Sequence, residues 1–242
     1  MTGAADGIGQ ATARAFAAEG YRLVLVDRNE AGLEELLAGL AGLGPAAGHE
    51  AAAGDVTVEA DAAAVAERAG RLGGPDVLVN VVGGSRPGKT VVDLTLAEWH
   101  ELLALNLTST FLMCRAVLPH MERAGAGAIV NVSSGAGLRG MRANPAYCAA
   151  KAGVVALTRA LAIDHGPAGV RVNCVAPGPV RTPLMRRNRT PDEIAAIGRL
   201  SLTGRIAEPA EIAAAILWLA SDASSYVMGQ AIEVDGGPAA GI

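Results

Sequence analysis

A tyrosine and a lysine near the middle of the chain could together move a proton. Tyr147 and Lys151 stand four positions apart at the start of a long alanine-rich helical pattern, so a helix would present both side chains on one face. A phenol ordinarily titrates at about pH 10, and a neighbouring ammonium lowers that pKa by stabilising phenolate. The pair therefore indicates general acid–base chemistry on an alcohol or carbonyl group. The alternative is a solvent-exposed pair on a helix surface.

The composition narrows the class of protein. The 242 residues carry a net charge of −4, and 51% are apolar while only 3% are aromatic, so small aliphatic side chains must fill the core. No basic field is present to attract nucleic acid or an anionic membrane, and we predict neither partner. No apolar run reaches the roughly 18–20 residues of a membrane span, and no secretory leader is seen. We expect a cytoplasmic protein that acts on a small-molecule substrate.

The three cysteines predict neither a metal site nor a disulfide. Cys114, Cys148 and Cys174 are widely spaced within apolar segments, and no pair has the spacing of metal ligands. We expect reduced thiols and no bound metal.

Strand-like and helix-like segments alternate along nearly the whole chain. The predicted strands are residues 21–26, 50–53, 77–79, 128–132, 170–175 and 231–234, and the predicted helices are 9–19, 30–40, 58–72, 96–123, 145–165 and 209–219. Short apolar strands separated by helices are typical of a parallel sheet covered on both faces. The pattern predicts one three-layer α/β domain over residues 1–242, with the doubly wound parallel sheet of a Rossmann fold.

A glycine-rich turn near the amino terminus predicts a dinucleotide site. Glycines there let the backbone approach a pyrophosphate, and free N–H groups at the following helix start attract its charge. The next strand ends in Asp27, at about the twenty-residue offset where an acid can hold a ribose 2′-hydroxyl. Asp27 repels a 2′-phosphate, so NAD is favoured over NADP, although Arg28 lies next to it. The predicted cofactor contacts here are Gly3, Asp6, Gly7, Ile8, Gly9, Asp27 and Arg28.

The strand that should precede this turn is missing from the pattern. A phosphate-binding loop of a Rossmann fold follows a central strand, and only Met1 precedes Thr2. Neighbouring strands would need the hydrogen bonds of that strand. We expect either a truncated first strand or another segment in its place.

Two further strand ends carry polar residues or glycines. Asp55 and Val56 follow the strand at 50–53, and Asn80 and Gly83 follow the strand at 77–79. The carboxyl ends of parallel strands line the ligand crevice, so these four residues are predicted cofactor contacts. The alternatives are a helix cap at Asp55 and a plain turn at Gly83. Asn106, inside the apolar helix 96–123, would either lock helix packing or hold an ordered water.

The chain resembles the short-chain dehydrogenase/reductases, in particular those similar to 3-oxoacyl-carrier-protein reductase. The likeness covers nearly the full length. It rests on the 2–9 loop, Asp55, Asn80, Asn106, Ser134, the Tyr147-x-x-x-Lys151 spacing, the run Asn173-Cys174-Val175-Ala176-Pro177-Gly178-Pro179-Val180-Arg181-Thr182, and the closing Val234-Asp235-Gly236-Gly237. The order and spacing of these motifs are together highly specific.

The resemblance implies a role for each matched residue. Tyr147 would be the general acid/base, Ser134 rather than Ser133 would position the substrate oxygen, and Lys151 would lower the Tyr147 pKa and hold the nicotinamide ribose. Asn106 would support a proton-relaying water. The residues that would flank the nicotinamide are Pro177, Gly178, Val180 and Thr182.

The chain departs from the family at the fourth expected strand end, where Asn80-Val81-Val82-Gly83 replaces the common Asn-Asn-Ala-Gly. The loss of the second Asn removes a side-chain hydrogen bond that helps fix this strand end.

The segment 184–205 breaks the regular alternation and would form a lid over the substrate, as in the family. It contains Arg186, Arg187 and Arg189. Together with Arg139 and Arg142, which precede Tyr147, these side chains could meet an anionic substrate. The alternative is a solvated charged helix start.

The leading hypothesis is an oxidoreductase that transfers a hydride between NAD(H) and a secondary alcohol or ketone. The alternative within enzymes is an NADPH-dependent 3-oxoacyl-thioester reductase, and the alternative of another class is a non-catalytic dinucleotide sensor. Members of the family with these features are usually homotetramers, so we expect that assembly.

Overall fold

The computed structural model describes residues 1–237, which form six strands and ten α-helices. The strands are β1 (Val24–Asp27), β2 (Glu50–Ala53), β3 (Val77–Asn80), β4 (Gly127–Val132), β5 (Val170–Pro177) and β6 (Ala231–Val234). The helices are α1 (Gly7–Ala18), α2 (Glu30–Leu40), α3 (Glu59–Arg71), α4 (Leu96–Leu103), α5 (Ser109–Ala124), α6 (Gly135–Arg139), α7 (Pro145–His165), α8 (Pro183–Asn188), α9 (Pro191–Gly198) and α10 (Pro209–Ala220). The predicted alternation of strands and helices is confirmed.

The strands pair in parallel, and one residue completes the centre of their arrangement. β1 pairs with β2, and β3, β4, β5 and β6 pair in that order. Thr2 lies between the two groups and forms parallel bridges to Val26 in β1 and Asn80 in β3. Its N–H donates to the Val79 carbonyl at 3.0 Å. Thr2 therefore stands in the place of the expected first strand at its carboxyl end.

Helices cover both faces of the strands. One core cluster joins α1, α2 and α10, with Phe16, Leu33 and Ile212 at its centre. The opposite cluster joins α3 and α5 through Val65 and Met113. These two cores confirm the predicted three-layer Rossmann fold, while its treatment as a single domain stays a prediction.

The long helix predicted at 96–123 is continuous but changes its hydrogen-bonding pattern. α4 passes through a π-helical turn at Ala104–Thr108 into α5. Asn106 lies in that turn and is fully buried. Single π-turns within α-helices occur frequently at functional sites.

Three short helices were not predicted: α6, α8 and α9. The latter two occupy the segment 184–205, whose irregular pattern predicted a lid. Thr182 and Thr190 cap them by accepting hydrogen bonds from the N–H groups of Met185 and Glu193, and each helix has proline in its first turn. Capping signals thus existed in the sequence where apolar periodicity was weak.

Two helices are long and apolar enough to cross a membrane by length and composition alone, namely Leu96–Ala124 and Pro145–Ala168. Polar and charged side chains interrupt the apolar residues of both helices, so the expectation that no uninterrupted apolar run spans 18–20 residues is not contradicted. Half of the most apolar window of the first helix is buried, and 39% of that of the second. Part of the apolar surface of both helices is thus packed against the rest of the protein.

Candidate active site

A large cleft lies at the carboxyl ends of the parallel strands. Its volume is about 1390 Å³, above the roughly 300–1,000 Å³ of an ordinary small-ligand site. The walls come from the 3–9 loop, the ends of β1, β3, β4 and β5, the start of α7, and the 184–200 segment. The cleft has room for an extended cofactor together with a substrate.

The glycine-rich loop fits a pyrophosphate. Gly3 and Gly7 have φ values of +65° and +53°, which favour glycine. A Cβ on Gly9 would lie 1.8 Å from the Gly3 carbonyl oxygen, so helix and loop touch backbone to backbone. The Asp6 side chain makes no capping hydrogen bond to α1, which leaves first-turn N–H groups available to an anion. With Ile8, all five predicted loop residues line the cleft.

The acid at the end of β1 is held at the edge of the cleft. Asp27 accepts hydrogen bonds from the N–H groups of Ala5 at 3.1 Å and Asn29 at 3.0 Å. Each carboxylate oxygen keeps acceptor capacity for a ribose hydroxyl. Arg28 is drawn towards Asp55, with 3.4 Å between Nη1 and Oδ2. The guanidinium of Arg28, which follows Asp27 in the sequence, is therefore paired with an acid of the protein itself.

Asp55 combines a structural and a cleft-lining position. Its carboxylate accepts hydrogen bonds from the Thr57 hydroxyl at 2.7 Å and the Thr57 N–H at 2.9 Å. These bonds, with Arg28, hold the pKa of Asp55 below its usual value. The alternative of a helix cap is not observed, because α3 is capped at Val58 without a side-chain hydrogen bond. Asp55 instead holds the turn before α3, and Asp55 and Val56 also line the cleft.

Tyr147 and Lys151 share one face of α7, as their spacing predicts, and both line the cleft with Ser134. The Lys151 Nζ lies 5.9 Å from the Tyr147 ring centroid and donates to the Val132 carbonyl at 2.8 Å. The Ser133 hydroxyl donates to the Lys151 carbonyl at 2.7 Å. Ser133 is therefore occupied in joining β4 to α7. The Ser134 oxygen accepts the Ala136 N–H at 3.2 Å, and its hydroxyl proton can point to a ligand.

Burial dominates the electrostatics of the pair. Burial raises the pKa of Tyr147, and the Ser134 hydroxyl acts in the opposite direction. Burial also lowers the pKa of Lys151 to about 8. Lys151 was expected to lower the pKa of Tyr147 towards neutral pH. These two side chains alone do not do so, because a buried phenolate is costly.

Asn106 connects the π-turn to the loop after β3. Its Oδ1 accepts the Gly84 N–H at 3.0 Å, and its Nδ2 donates to the carbonyls of Gly84 at 2.9 Å and Leu102 at 3.0 Å. A Cβ on Gly83 would lie 2.7 Å from the Asn106 Oδ1 and 2.8 Å from the Lys151 Nζ. Asn106 thus packs close to Lys151 and locks the loop, while its support of a water stays a prediction.

The side chain of Asn80 is engaged within the protein, and its predicted contact with a cofactor stays a prediction. It is 3% exposed and does not line the cleft. Its Nδ2 donates to the Asn131 Oδ1 at 3.0 Å, and Asn131 in turn donates to the Thr158 hydroxyl at 3.0 Å. The side chain of Asn80 therefore faces β4, because the last residue of β3 points its amide into the core.

The loop after β5 meets the glycine-rich loop across the cleft. All four residues expected to flank the nicotinamide line the cleft at the end of β5 or in this loop: Pro177, Gly178, Val180 and Thr182. A Cβ on Gly7 would lie 3.1 Å from the Thr182 Cγ2. The hydroxyl of Thr182 caps α8, so this residue connects cofactor loop and lid segment.

The arginines expected to meet a substrate divide into two groups. Arg139 pairs with Glu233 and Asp235, and Arg187 lies 3.6 Å from the Asp6 carboxylate. Arg142 and Arg189 line the cleft and have no acidic partner within residues 1–237. Arg186 does not line the cleft. Of the five guanidiniums, those of Arg142 and Arg189 are therefore the two available to a ligand.

Sequence reasoning missed two residues that position the site. The Thr2 hydroxyl accepts the N–H groups of Val81 at 3.2 Å and Val82 at 3.4 Å, which fixes the end of β3 where the family has its second Asn. The buried Asn144 donates to the Ser85 hydroxyl at 2.6 Å and so joins the start of α7 to the cleft wall. Its position directly before Pro145 was the available signal.

A dinucleotide cleft with an acid–base tyrosine defines a nicotinamide-dependent oxidoreductase. Comparison with known proteins agrees. Residues 3–238 match a family model described as enoyl-(acyl carrier protein) reductase. The chain is 44% identical over 241 residues to D-threitol dehydrogenase of Mycolicibacterium smegmatis, covering 98% of this chain and 90% of that protein. It is 42% identical to cis-4-hydroxycyclohexanecarboxylate dehydrogenase of Sinomonas cyclohexanicum, covering 98% and 94%.

A solved structure supports the same assignment. Levodione reductase superposes with a TM-score of 0.91 at 34% identity, covering 97% of this chain and 94% of that chain. The chain belongs to the short-chain dehydrogenase/reductase family. It is an oxidoreductase that transfers a hydride between NAD(P) and a secondary alcohol or ketone.

Proposed function

We propose that the chain is an NAD-dependent dehydrogenase of a secondary alcohol in which Tyr147 moves the proton. The observation that carries the proposal is the grouping of Tyr147, Lys151 and Ser134 on the wall of the cleft that the glycine-rich loop opens. A bound cofactor supplies the hydride acceptor or donor. An activity screen over secondary alcohols, diols and oxo-thioesters, run with wild-type protein and Tyr147→Phe, tests it. NAD-linked turnover that survives in the Phe variant contradicts the mechanism.

Each residue has a defined task in this mechanism. In oxidation Tyr147 takes the alcohol proton, and in reduction it returns a proton to the alkoxide. The Ser134 hydroxyl donates a hydrogen bond to the substrate oxygen. Lys151, with a pKa of about 8, is largely protonated at neutral pH, so its ammonium would hold the ribose hydroxyls of the cofactor and offset part of the cost of burying a phenolate. Asn106 keeps Gly83 and Gly84 in the place that leaves room for Lys151.

The preference for NAD rests on the end of β1. Asp27 presents a negative charge where a 2′-phosphate would lie, and Arg28 is paired with Asp55 at 3.4 Å. We expect Asp27→Asn to raise the ratio of NADP to NAD use by roughly tenfold or more, because one like-charge repulsion is removed. Initial rates with both cofactors measure this ratio. Asp76→Asn, outside the cleft, is the control and should leave the ratio unchanged; a wild-type protein that prefers NADP refutes the proposal.

One observation favours an anionic substrate, which includes the thioester alternative. Arg142 and Arg189 line the cleft with no acidic partner in the described part of the chain, whereas the acids of the cleft lining are Asp6, Asp27 and Asp55. One of the named relatives acts on a hydroxycarboxylate. The substrate end of the cleft is thus electropositive, which suits a carboxylate.

Arg142→Ala tests this preference. We expect the substrate KM to rise by roughly tenfold, because a charge-assisted hydrogen bond is lost, while the Kd for NAD is unchanged. Steady-state kinetics and a cofactor titration give the two values. Arg159→Ala, on the exposed side of α7, is the matched control. An unaltered KM in Arg142→Ala removes the anionic-substrate idea and leaves a neutral alcohol.

The assembly we propose is a homotetramer in the cytoplasm. The exposed apolar side chains of the two long helices support it, since Phe111 on α5 is 44% exposed and Ile163 on α7 is 75% exposed. Light scattering should give four times the chain mass of 24.3 kDa. A monomeric mass contradicts the proposal.

A further inference from the structure

Asn144 occupies a helix-capping position but does not cap the helix. It directly precedes α7, where an asparagine side chain ordinarily accepts an N–H group of the first turn, and it makes no such bond. Its buried amide nitrogen instead donates to the Ser85 hydroxyl oxygen at 2.6 Å and to the Met141 sulfur at 3.5 Å. Both of these residues line the cleft. The side chain of Asn144 is therefore committed to the cleft wall rather than to its own helix.

The two contacts fix which end of the amide faces Ser85. A thioether sulfur accepts hydrogen bonds and cannot donate them, so the atom against Met141 is the amide nitrogen. This orientation leaves one acceptor, the Asn144 Oδ1, without a partner among the described residues. The reverse orientation would leave two buried N–H donors unpaired and would set an oxygen against the sulfur, which costs more. Ser85 is therefore the acceptor in its contact with Asn144.

The proton of Ser85 is consequently available to a ligand. A serine hydroxyl has one proton to donate and two lone pairs to accept with. The Asn144 amide occupies a lone pair, and within residues 1–237 this is the one hydrogen bond of the Ser85 oxygen. The residue is half-buried on the wall of the cleft. Ser85 therefore presents a hydrogen-bond donor to the occupant of this part of the cleft.

A strained residue holds Ser85 in this place. Ala143 has a φ of +52°, the one value of this kind among the non-glycine residues that the structure describes. Such a conformation costs free energy and persists where neighbouring contacts impose it. Here the Ala143 carbonyl accepts the N–H groups of Gly88 at 2.8 Å and Lys89 at 3.2 Å. The segment that begins at Ser85 is therefore joined to the start of α7 at two points, through this carbonyl and through Asn144.

The anchored hydroxyl lies beside the catalytic pair. A Cβ on Gly83, two residues before Ser85, would lie 2.8 Å from the Lys151 Nζ, and a chain advances at most about 3.5 Å per residue. On the other side, Asn144 stands three residues before Tyr147, a spacing that makes the two positions neighbours on a helix. The donor is thus placed near the reacting oxygen of a substrate rather than near the phosphates of a dinucleotide.

We propose that Ser85 is a specificity-determining residue, whose hydroxyl donates a hydrogen bond to a second oxygen atom of the substrate, and that Asn144 positions it for this task. The proposal rests on the proposed dehydrogenase function and names its substrate class as secondary alcohols that carry another oxygen close to the reacting carbon. That oxygen belongs to a hydroxyl group or to a carboxylate, since both accept the same bond. An alcohol without it leaves the Ser85 donor unpaired in the occupied cleft, which disfavours its transition state.

Three alcohols of four carbons test the proposal: 2-butanol, 2,3-butanediol and 3-hydroxybutanoate. Each is oxidised at a secondary alcohol, and they carry as second oxygen none, a hydroxyl and a carboxylate. With NAD we expect kcat/KM of the wild-type protein for the diol or the hydroxy acid to exceed that for 2-butanol by roughly tenfold or more. Ser85→Ala should remove this advantage and leave 2-butanol unchanged. Ser225→Ala, at an exposed serine, is the matched control and should keep the wild-type ratios.

Variants of Asn144 test its positioning role. The ratio of kcat/KM for two substrates, measured on one preparation, does not change when part of the protein fails to fold. Asn144→Ala should lower this ratio, and the double variant with Ser85→Ala should lower it no further, because both changes act on one hydrogen bond. Asn144→Asp places a carboxylate, which accepts only, against Ser85. It should draw the Ser85 proton away from the cleft and lower the ratio while the serine is still present. Wild-type ratios in both variants overturn the role of Asn144.

The remaining outcomes separate this inference from the proposed function. Equal kcat/KM for the three alcohols, or an advantage that survives in Ser85→Ala, overturns the role of Ser85 and leaves the dehydrogenase standing. An effect of Ser85→Ala on the diol alone assigns the second oxygen to a hydroxyl, and an effect on the hydroxy acid alone assigns it to a carboxylate. Absence of turnover with every alcohol contradicts the proposed function. Titration of the same three compounds into Tyr147→Phe with NAD, with and without Ser85→Ala, then decides the Ser85 contact by binding alone.

Discussion

Replacing Tyr147 with Phe is expected to lower kcat by roughly 10²–10⁴-fold, the usual contribution of a positioned general acid or base. The change removes one oxygen from a half-buried ring and leaves Lys151 and Ser134 in place. Phe has no hydroxyl that could take up or give back the proton of the substrate oxygen, so the proposed proton transfer is lost. Steady-state rates with the best alcohol from the screen measure the loss.

The control for Tyr147→Phe is Tyr226→Phe. Tyr226 is fully exposed, so its hydroxyl should affect neither rate nor cofactor affinity. Cofactor titration of Tyr147→Phe should give a Kd close to that of the wild-type protein, which separates loss of chemistry from loss of binding. Undiminished kcat in Tyr147→Phe would exclude Tyr147 as the proton carrier.

Replacing Gly9 with Ala should abolish cofactor binding at concentrations that saturate the wild-type protein. The added methyl would lie 1.8 Å from the Gly3 carbonyl oxygen and 2.6 Å from its carbon, both backbone atoms. The glycine-rich loop must then move away from α1, and the N–H groups that face the cleft move with it. Overpacking of this kind costs roughly 1–3 kcal/mol of stability. Calorimetric titration with NAD and thermal unfolding measure the two effects.

Gly166→Ala is the matched control. A methyl there would lie 3.5 Å from the Met228 Cε, an ordinary contact with a flexible side chain. This variant should bind NAD normally. If Gly9→Ala binds NAD as the wild-type protein does, the loop between Gly3 and Gly9 is not the cofactor cradle, and the proposed binding mode falls.

Tyr147→Phe and Gly9→Ala together separate the two halves of the site. The first should bind cofactor without turnover, and the second should fail to bind while its α7 residues remain intact. A non-catalytic dinucleotide sensor would show binding and no turnover in the wild-type protein as well. Turnover by the wild-type protein that both variants lack therefore separates the enzyme from the sensor.

The sequence alone determined the elements and the catalytic face. Apolar runs and helical periodicity are local properties, so the bounds of β2, α2 and α7 follow the predicted ones. The four-residue spacing of Tyr147 and Lys151 places both on one side of α7 because a helix turns in 3.6 residues. The family could be inferred for the same reason, since its motifs are short and fixed in order.

Only the tertiary structure decided which polar groups are already engaged. Arg139 meets Glu233 and Asp235, almost a hundred positions away, while Arg142 beside it stays open to the cleft. The Asn80 amide turns to β4, and burial raises the Tyr147 pKa where spacing to Lys151 suggested the opposite. These outcomes depend on residues that are distant in sequence and on the burial of polar side chains away from water. A local sequence pattern predicts neither.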